Sequence, residues 1–215
     1  NAVCNVEANW SCTTQEPNEP SRCSLGHAIN LGDDGANDFE ANESFVTSSG
    51  GYTAFVTWDE TYVYFAIDGD DVDNNEANKV VVAYFGTGAA KSTNTGLTFN
   101  AQEPNLAMSA THAFFWQTNE VAGGRVYDGA NWQDAGWDFT GDIYRKGTYV
   151  EFRIPFADLG TGVPFPFALD LNLVMLNQAE GGQWTYSRLS REDDGYDPNY
   201  SKYYRFVIGG ADAPN

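Results

Sequence analysis

The chain has 215 residues, with 30 Asp plus Glu against 11 Lys plus Arg and a formal charge of −19. A surface this negative repels nucleic-acid phosphates and anionic headgroups, which are bound through clustered Lys and Arg, and no apolar run approaches the roughly 18 residues that span a bilayer, so the expected partners include neither nucleic acid nor an inserted membrane. Aromatic residues at 15% and hydrophobic residues at 42% supply a full core, which separates the chain from acidic disordered sequences.

Taken in chain order, the three cysteines come first, at Cys4, Cys12 and Cys23, separated by polar residues with Pro17 and Pro20. Their spacing fits no zinc pattern, which needs closely paired ligands, and disulfide bonding in an oxidising compartment is the better expectation. Bridging Cys12 to Cys23 and bridging Cys4 to Cys12 are equally allowed, and the odd number leaves one thiol over. Residues 1–24 read as a Cys-bearing arm or linker and residues 25–215 as one domain.

From Leu25 onward the pattern has period two. Strands are expected at Tyr52–Trp58, Tyr62–Ile67, Lys79–Phe85, Thr111–Gln117, Thr148–Ile154, Phe167–Leu176, Gln183–Arg188 and Tyr203–Ile208. In the Thr148 segment Val150, Phe152 and Ile154 alternate with Tyr149, Glu151 and Arg153, the mark of a strand with one face in a core. Both faces of Tyr62–Ile67 are largely apolar, so this strand is expected to be central, with Trp58 in the core beside it. Gly, Asn and Asp clusters punctuate the strands, and the one helical turn expected is Phe156–Leu159 after Pro155. Many short strands with few or no helices predict an all-β fold, an antiparallel two-sheet β-sandwich of jelly-roll-like character.

Oxygen-rich loops lie between the strands. Asp68, Asp70, Asp71, Asp73 and Asn75 form one cluster, Asp33, Asp34 and Asp38 a second, and Glu192–Asp197 a third. Calcium takes six to eight such oxygens, although the EF-hand pattern fails because Asp73 and Lys79 stand where it needs Gly and Glu. Solvated turns are the competing reading, since Asp and Asn tolerate turn geometry.

The tryptophans outside the Trp58 hairpin carry the other chemistry. A pyranose ring needs flat aromatic faces with amide or charged groups for its hydroxyls, and Trp116, Trp132, Trp137 and Trp184, with Asn172, Gln178 and Arg188, are the candidates. So little positive charge favours a neutral glycan over a sulfated one. Catalysis has little to stand on: His27 and His112 are the two histidines, and neither G-x-S-x-G nor H-E-x-x-H occurs.

Two segments resemble the family-9-like carbohydrate-binding modules and the wider DOMON-like sandwiches. The first runs Ala54-Phe55-Val56-Thr57-Trp58-Asp59-Glu60-Thr61-Tyr62-Val63-Tyr64-Phe65-Ala66-Ile67 into Asp68-Gly69-Asp70-Asp71-Val72. The second is Gly147 to Gly160, closing in Ile154-Pro155 and Leu159-Gly160. The resemblance covers residues 28–208 and implies a sandwich, glycan binding between a pair of tryptophan faces, and structural calcium. Some DOMON-like relatives hold haem, for which Met108, His112 and Met175 are the available ligands. The expectation is therefore a secreted or cell-surface, non-enzymatic glycan-binding module, attached to a larger surface or multidomain protein through its arm. A surface or adhesive spacer without a ligand site is the alternative of a different class.

Overall fold

The computed structural model describes residues 10–13, 22–32, 38–47, 51–70, 72, 78–99, 103–118, 121–161, 167–177, 184–188, 195–196, 199–200 and 202–208. Its strands are β1 (Trp10–Thr13), β2 (Arg22–Leu25), β3 (Ser44–Val46), β4 (Thr53–Trp58), β5 (Tyr62–Asp68), β6 (Lys79–Gly86), β7 (Thr93–Thr95), β8 (Asn105–Ala110), β9 (His112–Gln117), β10 (Val121–Tyr127), β11 (Trp132–Asp134), β12 (Ile143–Lys146), β13 (Tyr149–Pro155), β14 (Phe167–Asn177), β15 (Trp184–Arg188), β16 (Gly195–Tyr196) and β17 (Tyr204–Ile208). For β1, β2, β15 and β16 the backbone pairing alone is described. A single 3-10 turn, Ala41–Glu43, precedes β3.

The fold is all-β and sandwich-like. An eight-stranded sheet runs β11-β10-β9-β6-β14-β15-β16, with β17 also paired to β14, and a five-stranded sheet runs β12-β13-β5-β4-β3. Every ladder between these strands is antiparallel, and β14 is long enough to serve two neighbours on one edge, β17 at Phe167–Leu171 and β15 at Val174–Asn177. Strand alternation sends Val63, Phe65, Ile67, Val150, Phe152 and Ile154 of the smaller sheet toward Val81, Ala83, Phe85, Phe114, Trp116, Leu171, Leu173 and Met175 of the larger one. Aromatic rings lock this interior: Phe65 stacks on Phe152 at 5.1 Å and meets Phe114 edge-on at 5.4 Å. Each such side chain contributes roughly 1.5–3 kcal/mol by leaving water.

Each sheet is also covered on its outer face, which explains why β5 reads apolar on both sides. Over the smaller sheet, Ile29 and Phe39 pack on Phe55, Tyr64, Ala66 and Tyr149. Over the larger sheet, Leu97, Leu106, Met108 and Ala110, from the β7–β8 region, join Tyr200 in covering Val80, Val82, Tyr84, Ala113, Val174 and Leu176. Trp58 lies in the core as expected, 5% exposed. After Pro155 the chain makes one tight turn, with Asp158 N–H donating to Pro155 O at 3.0 Å and Leu159 N–H to Phe156 O at 3.1 Å, which buries Phe156 and Leu159.

The covering segment over the smaller sheet is held by polar contacts. His27 Nδ1 lies 3.1 Å from Glu43 Oε1, and His27 Nε2 lies 3.1 Å from the Asp38 carbonyl oxygen. Glu43 has no exposed surface and accepts further hydrogen bonds from the Thr57 hydroxyl and, at 2.8 Å, from Glu40 N–H. Its burial pushes the carboxyl pKa above the ordinary value, an effect that the Thr57, Glu40 and His27 contacts offset in part. On the same face the Glu151 carboxylate accepts from Tyr149 Oη at 2.8 Å and from Gly32 N–H at 3.1 Å.

Strand structure begins before Leu25. Within the segment expected to be an arm, β1 pairs antiparallel with β2, and β1 lies beside β17.

Candidate functional site

The β10–β11 hairpin presents a partly exposed aromatic surface at the edge of the larger sheet. Its turn is Asp128-Gly129-Ala130-Asn131. Gly129 takes φ 104, a left-handed conformation that side chains resist, and Asp128 Oδ1 accepts the N–H groups of Ala130 and Asn131, each at 2.8 Å. Those backbone donors, Asn131 first, hold the Asp128 carboxyl below its ordinary pKa. The turn sets the register Tyr127 opposite Trp132, Val126 opposite Gln133 and Arg125 opposite Asp134.

Trp132 is fixed at this edge by three contacts. Its indole N–H donates to Thr95 O at 3.0 Å, its ring meets Tyr127 edge-on at 5.6 Å, and it tilts against Tyr84 at 6.5 Å. The ring remains partly exposed, and its chain neighbours Asn131 and Gln133 and, in β7, Asn94 and Thr95 are exposed. Tyr84 beneath it is fully buried, its hydroxyl accepting Leu97 N–H at 3.1 Å, and burial drives the phenol pKa well up. A rigid, partly exposed indole has the chemistry to stack on the apolar face of a neutral sugar.

The other predicted sugar residues separate. Trp116 is 1% exposed and packs edge-on against Phe152 at 5.7 Å inside the sandwich, which corrects its expected role: strand parity turns the ring inward, where it presents no face to a ligand. Trp137 is half-buried on the inner side of the larger sheet, stacked on His112 at 5.9 Å and packed across Gly124, where an added Cβ would come within 2.3 Å of the indole. Trp132 packs in the outer cluster and Trp137 against the inner one, so these two rings do not enclose a common sugar. Asn172 stands opposite Tyr84 on the outer face, wholly buried. Its amide donates to Lys202 O at 3.3 Å, and its Oδ1 has no hydrogen-bond partner among the described residues. Trp184 and Arg188 lie in β15, opposite Asn177 and Val174; their side chains, and Gln178, lie outside the described residues.

Of the expected calcium ligands, Asp33, Asp34, Asp71, Asp73 and Asn75 lie outside the described residues, as do Glu192–Asp194 and Asp197 of the third loop. Asp70 is exposed, Asp68 Oδ1 accepts Thr148 Oγ1 at 2.7 Å, and the Asp38 carbonyl faces His27. Among the described residues no three His, Cys, Asp or Glu side chains gather as a metal site. The haem ligands do not converge either. Met108 lies in the outer cluster and Met175 in the inner one, with the sheet between them. His112 and Met175 sit opposite Phe85 and Val81, four residues apart along β6, or roughly 13 Å.

Tyr127 and Thr95 are the residues that sequence reasoning missed. Tyr127 had a usable signal: an aromatic residue on each side of Asp-Gly-Ala-Asn marks a hairpin with a cross-strand aromatic pair. The Thr95 carbonyl had none, because its contact depends on a strand 37 residues away. No known family, curated protein or solved structure matches the chain.

Proposed function

We propose that the chain is a non-catalytic, secreted or cell-surface module that recognises a neutral glycan at the β10–β11 edge, with calcium supporting the Asp68–Glu76 loop. The observation that carries this reading is the Trp132 indole, pinned through its N–H to Thr95 and braced by Tyr127 while part of its surface stays open. A ring held in this way loses little rotamer freedom on binding. Asp68 and Asp70 are two carboxylates of hard-oxygen chemistry suited to calcium. A glycan array read with wild type, Trp132→Ala and Tyr127→Ala tests the glycan reading. Expected are weak binding to a neutral glycan that barely changes with salt, since stacking is little screened, and loss of that signal in both variants with the melting transition retained. Failure to bind any neutral glycan would favour the spacer reading.

A further inference from the structure

We propose that Cys12 and Cys23 form an intramolecular cross-strand disulfide that closes the β1–β2 ladder and leaves Cys4 as the single remaining thiol. The inference concerns the covalent state of the amino-terminal segment and does not depend on the glycan reading.

Spacing alone allowed two pairings; the backbone register separates them. The ladder pairs Trp10 with Leu25, Ser11 with Ser24, Cys12 with Cys23 and Thr13 with Arg22. Residues directly opposed across an antiparallel ladder have Cα atoms about 4.5–5.5 Å apart, inside the roughly 4.4–6.8 Å range that a disulfide spans. Alternation places Cys12 and Cys23 on the face that also carries Trp10 and Leu25, with Ser11, Ser24, Thr13 and Arg22 on the other. The hairpin therefore has an apolar face containing both cysteines and a polar face containing neither. A two-stranded hairpin is marginal by itself in water, and a cross-link restricts the open chain most directly when it joins opposed positions. Immediately after β2 the backbone is committed to the sandwich: a Cβ on Gly26 would come within 2.2 Å of Trp58 O.

Formation of the bond is a two-electron oxidation that needs a disulfide oxidant, for which oxidised glutathione serves. The thiolate of one cysteine attacks a glutathione sulfur and expels one glutathione thiolate. The second cysteine, deprotonated, then attacks the protein sulfur of the mixed disulfide and expels the other. Two protein S–H bonds are lost, one S–S bond forms, and two glutathione thiols carry away both electrons and both protons.

The sequence makes the pairing easy to map. Cleavage after glutamate and arginine cuts at Glu7, Arg22 and Glu40, whereas Glu16 and Glu19 precede proline and resist, which puts Cys4 in peptide 1–7, Cys12 in peptide 8–22 and Cys23 in peptide 23–40. The full chain, equilibrated with oxidised and reduced glutathione, alkylated, digested without reduction and examined by mass spectrometry, should show peptide 8–22 joined to 23–40 and peptide 1–7 alkylated. Denatured without reductant, the chain should take one thiol label, and three after reduction. Cys4→Ser should take none before reduction, and Cys12→Ser should take two. Peptide 1–7 joined to either partner, three labels before reduction, or a link between 8–22 and 23–40 confined to disulfide-bonded dimers would overturn the proposal.

Discussion

The interior between the sheets and the β10–β11 edge use the same residue types to opposite ends. Trp116 and Trp132 both lie in short strands of the larger sheet, yet one is enclosed by Phe152 and the inner faces of both sheets, while the other is tied to a carbonyl at the rim. What separates them is position in the sheet order. β9 lies two strands in, between β10 and β6, whereas β11 is the terminal strand. A tryptophan on the inner face of an inner strand is enclosed between the two sheets; at the end of the sheet the cover runs out.

The sharpest way to break this comparison is Trp116→Ala, which should lower stability by about 3–5 kcal/mol through lost burial and a cavity, read as a shifted urea midpoint. A loss below about 1 kcal/mol would mean that the ring is not where the packing puts it. Gly26→Ala tests the seam between the covering segment and the core. The new Cβ would meet the Trp58 carbonyl, which is backbone and cannot swing aside, so a cost of about 1–3 kcal/mol is expected, and a neutral outcome would show that the segment sits away from β4. Trp132→Ala should cost less than Trp116→Ala, on the order of 1 kcal/mol, because the half-open ring loses one hydrogen bond and part of its packing.

The smallest effect is a pH dependence at Glu43. Its folded pKa lies above the unfolded value because burial disfavours the charge. The stability it contributes is therefore fully present below the unfolded carboxyl pKa, roughly 4.3, and is lost as pH rises through the folded pKa. The stability of wild type relative to Glu43→Gln should accordingly increase as pH falls from neutrality toward that range. A difference that stays flat across parallel urea titrations would assign Glu43 no such role.

Period-two alternation made the central strands legible, since Phe65, Phe152 and Leu171 each sit in a run whose parity survives in the fold. The rim strands β3, β7, β11 and β12 are three or four residues long, too short for alternation to stand out from loop sequence. The covering layers were hidden for another reason: nothing local to Ile29 or Phe39 says which sheet they will lie on, and the contact is made only once β4, β5 and β13 have paired. The site was half legible. Trp132 was identifiable by type and by its Gly- and Asp-rich surroundings, whereas Trp116, Trp137 and Asn172 look equally suitable until strand parity and sheet order separate them.

Strand β17 places the end of the described chain in the middle of the architecture. Tyr204 and Phe206 pack edge-on against Phe45, and Phe206 against Trp58, joining the larger sheet to the smaller one across more than half the sequence. During synthesis, Phe45 and Trp58 leave the ribosome long before these rings exist, so the β3–β4 end of the smaller sheet waits unclamped until residue 206 has been made. The nascent chain thus carries an open aromatic seam for as long as residues 59–206 are being made, and closure of the sandwich at this end is set by the order in which the chain is produced.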